Sequence, residues 1–273
     1  MLKFFRRIRH KLLAENRFSK YFLYAIGEIV LVVIGILIAL QINNWNEERK
    51  NIAQKNAYCA QLITSLKSDR KVLKEFYNRL LAVEKKGKYL WEFVSGTEME
   101  IDTNLFKNHF LSAANAFEFT PKTTAYDNMV ASNGLNLIKN DSLKILLPIY
   151  FVPQKGELES AKQRSDYDAS YNNTRFEFTS PMMLKKYLNA IFKASPGTME
   201  AGLVEENQDA QMDLEVDLSQ FEMDWEKLRK SKVYKVYLGR MLAIREPQLN
   251  STKEKQLLIE KMINLLEKEI NQR

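Results

Sequence analysis

Hydrophobic positions are arranged along this chain in two distinct ways. From Tyr21 to Leu40, YFLYAIGEIVLVVIGILIAL, they form one run in which Glu28 is the only charged residue. A helix of about 20 residues rises about 30 Å, the thickness of the hydrocarbon core of a bilayer, so the run predicts a membrane-spanning helix. Beyond it the pattern changes to alternating spacings of three and four, through Ile42, Trp45, Arg49, Ile52, Asn56, Cys59, Ile63, Leu66, Arg70, Leu73, Tyr77 and Leu80. No Pro or Gly intervenes before Gly87, and the spacing predicts one helix continuing from the span to about Phe93. Polar interruptions at Arg49, Asn56 and Arg70 favour an amphipathic bundle helix packed on its own chain over a dimeric coiled coil.

Further along, punctuation residues divide the chain into shorter helices. Ser95-Gly96-Thr97 ends the long helix, and Asp102 or Thr103 caps a short one reaching about Ala114. Thr120 reads as a cap with Pro121 at the first helical position, and Asn133-Gly134 as a left-handed stop. Asn140 or Asp141 starts the next helix, which Pro148 is expected to kink. The apolar run Ile145 to Val152 is too short for a second span. Helical spacing resumes from Leu158 to about Asn172, and Pro181 opens a segment that ends before Ser195-Pro196-Gly197. Val204 to Gln220 is acidic and reads as a mobile connector. Phe221 to Leu228, Val233 to about Ile244 and Lys253 to Ile270 read as helices, the last two separated by Pro247. Strand signals are confined to Leu135–Ile138 and Arg175–Phe178.

The expected fold is all-α, with a single N-terminal transmembrane helix continuing into an irregular extracytoplasmic helical bundle. Its expected divisions are a basic amphipathic cytoplasmic tail (1–20), the transmembrane helix (21–45), a long helix or stalk (46–95), and a helical domain packed on the stalk (96–273).

Charge sets the orientation. Before the span stand Lys3, Arg6, Arg7, Arg9, Lys11, Arg17 and Lys20 against Glu15 alone, whereas the residues just after it mix both signs. The positive-inside bias places the N-terminus in the cytoplasm and the bulk of the chain on the far, periplasmic side of an inner membrane. Arg6, Arg7, Arg9, Lys20, Tyr21 and Trp45 are the expected anchors at the two interfaces. A cleaved signal would need a shorter apolar region and a small-x-small site, which Ile38-Ala39-Leu40-Gln41 does not offer. Of the net +7, residues 1–20 carry +6, leaving +1 for the remainder. The basicity therefore belongs to a tail facing anionic lipid, with apolar Leu2, Phe4, Phe5, Ile8, Leu12 and Leu13 at helical spacing, and nucleic acid is not an expected partner.

Candidate chemistry is sparse. Cys59 is the only cysteine, so no disulfide forms within the chain, and a buried thiol is preferred over an interchain bridge. His10 and His109, the only histidines, fall on opposite sides of the membrane, which removes Cys/His zinc sites. The carboxylate pairs Glu205-Glu206 and Asp213 with Glu215 lie in the polar connector and read as a solvated face. No enzyme activity and no cofactor are expected. Glu28 is the residue that asks for a function, because an acid inside a span costs about 2.5 to 3.5 kcal/mol near the helix centre and normally faces a partner or a cavity. Glu28, Val32, Gly35 and Ala39 share one side at helical spacing, and Gly35 with Ala39 makes a small-xxx-small step. That face is expected to contact another helix, from a second copy or from another membrane protein. The alternative is an accessory subunit of a proton-driven or sensory complex with Glu28 as its working acid.

The block from Phe4 to Asn51 resembles the opening of a family of uncharacterised single-pass membrane proteins of Bacteroidota-type bacteria. The resemblance is carried by Lys20-Tyr21, Ala25-Ile26-Gly27-Glu28-Ile29 and Gln41-Ile42-Asn43-Asn44-Trp45-Asn46-Glu47. It is present more weakly at Ala125-Tyr126, Asn133-Gly134-Leu135 and Leu137-Ile138-Lys139-Asn140. It implies location and topology and carries no activity.

Overall fold

A computed structural model of the chain describes residues 18–96, 100–113, 118–194 and 214–271. The basic tail before Phe18, with Arg6, Arg7 and Arg9, lies outside the described residues, as do Ser195-Pro196-Gly197, Glu205, Glu206 and Asp213. Among the described residues every regular element is helical.

The first helix, α1, runs without a break over Phe18–Val94 and ends at Gly96, whose φ of 101° is open to glycine but strained for other residues. Contacts divide the chain inside this helix: residues up to Ala57 form one unit, and Tyr58–Gln272 form another. In the first unit nearly every described apolar side chain of the Phe22–Trp45 stretch is exposed.

In the second unit the buried seam of α1 is Cys59, Leu62, Leu66, Asp69, Leu73, Phe76, Leu80, Val83, Gly87, Leu90 and Val94, again alternating threes and fours. It is rotated by one residue from the predicted seam at three places: Leu62, Asp69 and Phe76 are inward, while Ile63 and Tyr77 flank them and Arg70 is exposed. Adjacent apolar pairs such as Leu62-Ile63 and Phe76-Tyr77 leave the stripe's direction ambiguous to periodicity alone. Asp69 resolves it in the structure by accepting bonds from Tyr150 and from the backbone of Lys122.

Among the described residues seven more α-helices follow: α2 Thr103–Ser112, α3 Thr124–Ala131, α4 Asp141–Phe151, α5 Lys155–Arg175, α6 Pro181–Ala194, α7 Trp225–Lys230 and α8 Lys232–Asn271. Local chemistry starts several of them. Asp102 caps α2 through bonds from the Asn104 and Leu105 N–H groups, Asn140 caps α4 through Leu143 N–H, and Asp224 caps α7 through Lys227 N–H.

The structure corrects several sequence expectations. Thr120 and Pro121 precede a non-helical stretch, and α3 begins at Thr124. The left-handed stop expected at Asn133-Gly134 is present, with Asn133 at φ 57°. Leu135–Ile138 and Arg175–Phe178 lie in short 3-10 turns rather than strands, at Gly134–Leu137 and Phe176–Phe178. Pro247 does not separate two helices: α8 passes through it, because packing on both sides holds the axis where local propensity would break it. The described part of the acidic connector, 214–220, packs against α2 and cannot be counted as mobile, since Val216 and Leu218 are buried.

Two apolar cores result. One gathers Leu90, Phe93, Phe106, Phe110, Tyr171, Tyr187, Leu218, Leu228, Tyr234, Leu238 and neighbours; the other gathers Cys59 to Leu80 of α1 with Met129, Leu143, Leu147, Phe151, Ile259, Met262 and Leu266. Both draw on α1 and α8, which approach so closely at Gly87 that a Cβ there would lie 2.8 Å from Leu242 Cδ2.

Candidate functional site

On α1 a residue turns 100°, so Glu28, Val32, Gly35 and Ala39 fall within a narrow sector of one continuous helix. Val32 is 58% exposed, a Cβ built on Gly35 meets no atom within 4 Å, and Ala39 is exposed. Glu28 itself is half-exposed. The four predicted residues thus share a face of bare helix, at which a second helix has room to approach. Trp45, one predicted interface anchor, is 65% exposed; Lys20 and Tyr21 lie within α1. The Ala25–Val94 helix is long and apolar enough to cross a membrane by length and composition.

The helical unit carries a second set of polar groups, none of them singled out by sequence reasoning. Asp168 on α5 and Arg245 on α8 make a buried ion pair at 2.9 Å, and the Arg245 Nη1 donates to Gln248 Oε1 at 2.9 Å. Burial nonetheless pushes the Asp168 carboxyl up, and Arg245 opposes that shift without cancelling it. Asp168 Oδ2 and Arg245 Nε find no hydrogen-bond partner in the protein. Asp69 is also pushed up by burial, against the Tyr150 hydroxyl, which donates to it at 2.9 Å. His109 packs edge-on against Tyr89, its Nδ1 buried without a partner. Burial and the Lys86 and Lys85 charges lower its pKa to about 4.

A third feature is the grip of α2 on the extended stretch around Val216. Asn108 donates to the Val216 carbonyl at 2.8 Å and accepts from its N–H at 2.9 Å, Asn104 accepts from Leu218 N–H at 2.7 Å, and Lys107 donates to the Leu218 carbonyl at 3.1 Å. Asn104, Lys107 and Asn108 lie on one face of α2, so the helix edge reads main chain as a neighbouring strand would. A shallow cleft of about 570 Å3 lies between α5 and α8, lined among others by Phe76, Tyr150, Glu118, Arg164, Glu157 and Lys255. Among the described residues no group of three or more His, Cys, Asp or Glu side chains is placed to hold a metal ion.

These groups escaped the sequence because their partners lie far apart in the chain. Glu118 and Arg164 pair across 46 residues and Asp168 and Arg245 across 77, without any local motif. The acids and bases of α5 and α8 look like ordinary solvated helix faces until the fold brings them together.

Among the described residues, the fold is all-helical, with one helix long and apolar enough to cross a membrane. Residues 28–158, just under half of the chain, match the model of a family described as of unknown function (DUF6090). That stretch begins at Glu28, and it takes in the small-residue face of α1 and the elements from α2 to α4. No curated protein and no solved structure matches the chain.

Proposed function

We propose that the chain is a single-pass inner-membrane protein of a Bacteroidota-type bacterium, with a cytoplasmic basic N-terminus and a periplasmic helical unit. In this role it is a membrane-tethered interaction module without catalytic activity. It associates with a second copy or with another membrane protein through Glu28, Val32, Gly35 and Ala39. The observation that carries this reading is the exposed apolar face of α1 between Phe22 and Trp45, far larger than the isolated apolar residues a water-facing helix tolerates. Lipid is the medium that covers such a surface, and the basic residues Arg6, Arg7, Arg9 and Lys20 favour the cytoplasmic side for the end that precedes it. Within lipid, association depends on close backbone approach and on polar side chains that need partners, and Gly35 and Glu28 supply one of each.

Glu28 also supports a second reading, in which it carries protons or a conformational signal for a multi-span partner. Its place about 10 Å into the apolar run is where an intramembrane acid is normally functional.

Crosslinking in native membranes with the Glu28→Gln and Glu28→Leu variants separates the two. Under the interaction reading, association persists in Gln, which keeps the hydrogen-bonding shape, and weakens in Leu. Under the second reading, Gln alone abolishes the supported process. If Leu crosslinks as fully as the parent chain, the Glu28 face is not the contact. A reporter fused after Gly96 that is active only in the cytoplasm removes the topology itself.

A further inference from the structure

Helices α5 and α8 run antiparallel and touch at three levels. Tyr171 meets Tyr234 with hydroxyl oxygens 3.1 Å apart, Asp168 meets Arg245 at 2.9 Å, and Glu157 meets Lys255 at 2.9 Å. Between the second and third levels several wall residues are small, Ser160 and Ala161 on α5 and Pro247 and Ser251 on α8, beside the longer Leu158, Arg164 and Gln248, with Gly156 just beyond the third level. Across the small positions a cleft opens. Its volume of about 570 Å3 lies within the usual range of small-molecule sites. A Cβ on Gly156 would meet nothing within 4 Å.

The position is informative, because the cleft sits at the edge of the second core, the one built around Leu66 and Met262. Half-buried Phe119 brings aromatic surface to it, and Phe76 and Tyr150, 7% and 6% exposed, add a little more. Arg164 grips Glu118 through two bonds, Nε to Oε1 at 2.5 Å and Nη2 to Oε2 at 2.8 Å. Pro247 has no N–H to offer the carbonyl of Ala243, four residues back, and Ala243 is an exposed lining residue. Gln248, another lining residue, links the cleft to the buried Asp168–Arg245 pair, where a carboxylate oxygen and a guanidinium nitrogen remain unpartnered.

This composition selects a class of ligand. Both cations and both acids on the rim are already paired, so an anion or a zwitterion would have to displace a bidentate carboxylate from Arg164. Uncharged hydroxyls displace nothing. They donate to the spare lone pairs of the paired carboxylates, and they accept from the guanidinium and ammonium N–H groups of Arg164 and Lys255 that those pairs leave over. We propose that the α5–α8 cleft is a binding site for an uncharged, hydroxyl-rich ligand of disaccharide size, which lays its C–H face on Phe119. The site is independent of the membrane contact at Glu28.

The test uses the full chain in phospholipid nanodiscs and saturation-transfer NMR, with cellobiose and chitobiose as neutral probes and glycyl-leucine as the zwitterionic contrast. The expected result is transfer to at least one disaccharide with a dissociation constant of about 1 mM or tighter. Gly156→Leu, which projects into open space at the cleft wall, should weaken it about tenfold or more. Ala161→Trp serves as a second occluding variant, and circular dichroism verifies that each variant is folded. Transfer to glycyl-leucine alone, transfer to neither disaccharide, or transfer that survives in both folded variants overturns the proposal.

Discussion

Three charged side chains of this protein, Arg175, Arg229 and Glu269, end at helix termini. Arg175 donates to the carbonyls of Phe110 and Leu111 at the end of α2, and Arg229 Nε donates to the Phe93 carbonyl at the end of α1 while its guanidinium stacks 4.7 Å from the Phe93 ring. Glu269, fully buried near the end of α8, does the reverse: its carboxylate accepts from Lys139 N–H at 2.7 Å and Asn140 N–H at 3.1 Å at the start of α4. Each places charge where unpaired backbone groups gather and the helix dipole favours that sign. Removing the Glu269 acceptor strands two part-buried donors, so Glu269→Ala should cost about 2 to 5 kcal/mol in urea unfolding, with Glu269→Gln recovering a share of it. His109 makes a different prediction. Its pKa falls to about 4 in the fold, below the ordinary 6.5, so the unfolded chain binds the proton more readily. Its contribution to stability is therefore complete above about pH 6.5 and is lost as the pH falls through 4. The melting temperature should drop over that window, and it should drop less in His109→Phe, which keeps the edge-on contact with Tyr89 and leaves Lys85 and Lys86 with no imidazolium to repel.

Elements were legible in the sequence to the extent that one local rule governed them. The long period of α1, its stop at Gly96, and the caps at Asp102 and Asn140 were readable because spacing, φ and side-chain oxygens act within a few residues. That Glu28, Val32, Gly35 and Ala39 share one side of α1 follows from helical spacing alone. The continuity of α8 through Pro247 was not, since tertiary packing there overrides a local penalty of about 3 kcal/mol. Nor was the cleft, whose walls come from α5 and α8 and meet only in the fold. Two substitutions expose this difference between local and tertiary control. Pro247→Ala restores a donor to the Ala243 carbonyl and relieves the ring clash, and should raise stability by about 1 to 3 kcal/mol. Gly134→Ala, by contrast, sets a Cβ 2.5 Å and 2.8 Å from the Tyr58 ring and 3.1 Å from the Met129 carbonyl, in a tight 3-10 turn with little room to yield. It should cost about 1 to 3 kcal/mol, and the same denaturant midpoints measure both variants.

At the scale of the folded unit, the question is whether two apolar cores make two folding units or one. The Phe106–Tyr234 core and the Leu66–Met262 core share no buried residue, and the Asp168–Arg245 pair stands between them. Yet α1 and α8 each supply both cores and touch at Gly87, so neither core can lose its helices while the other keeps them intact. A helix-spanning connection of this kind couples the cores into a single cooperative transition, unlike a flexible linker. With Trp45, which lies outside this unit, replaced by Phe, the two remaining tryptophans make this measurable, because Trp225 packs in the first core, 5.3 Å from Phe106, and Trp91 faces Gly239 near it, while neither belongs to the second. Leu66→Ala hollows the second core alone and should remove about 2 to 5 kcal/mol. With coupled cores, the tryptophan fluorescence transition shifts with the circular dichroism transition and by the same amount. Fluorescence that holds its parental midpoint while the dichroism signal splits into two steps would mean that the cores fold apart, and that α1 and α8 can fray on one side of Gly87 without the other.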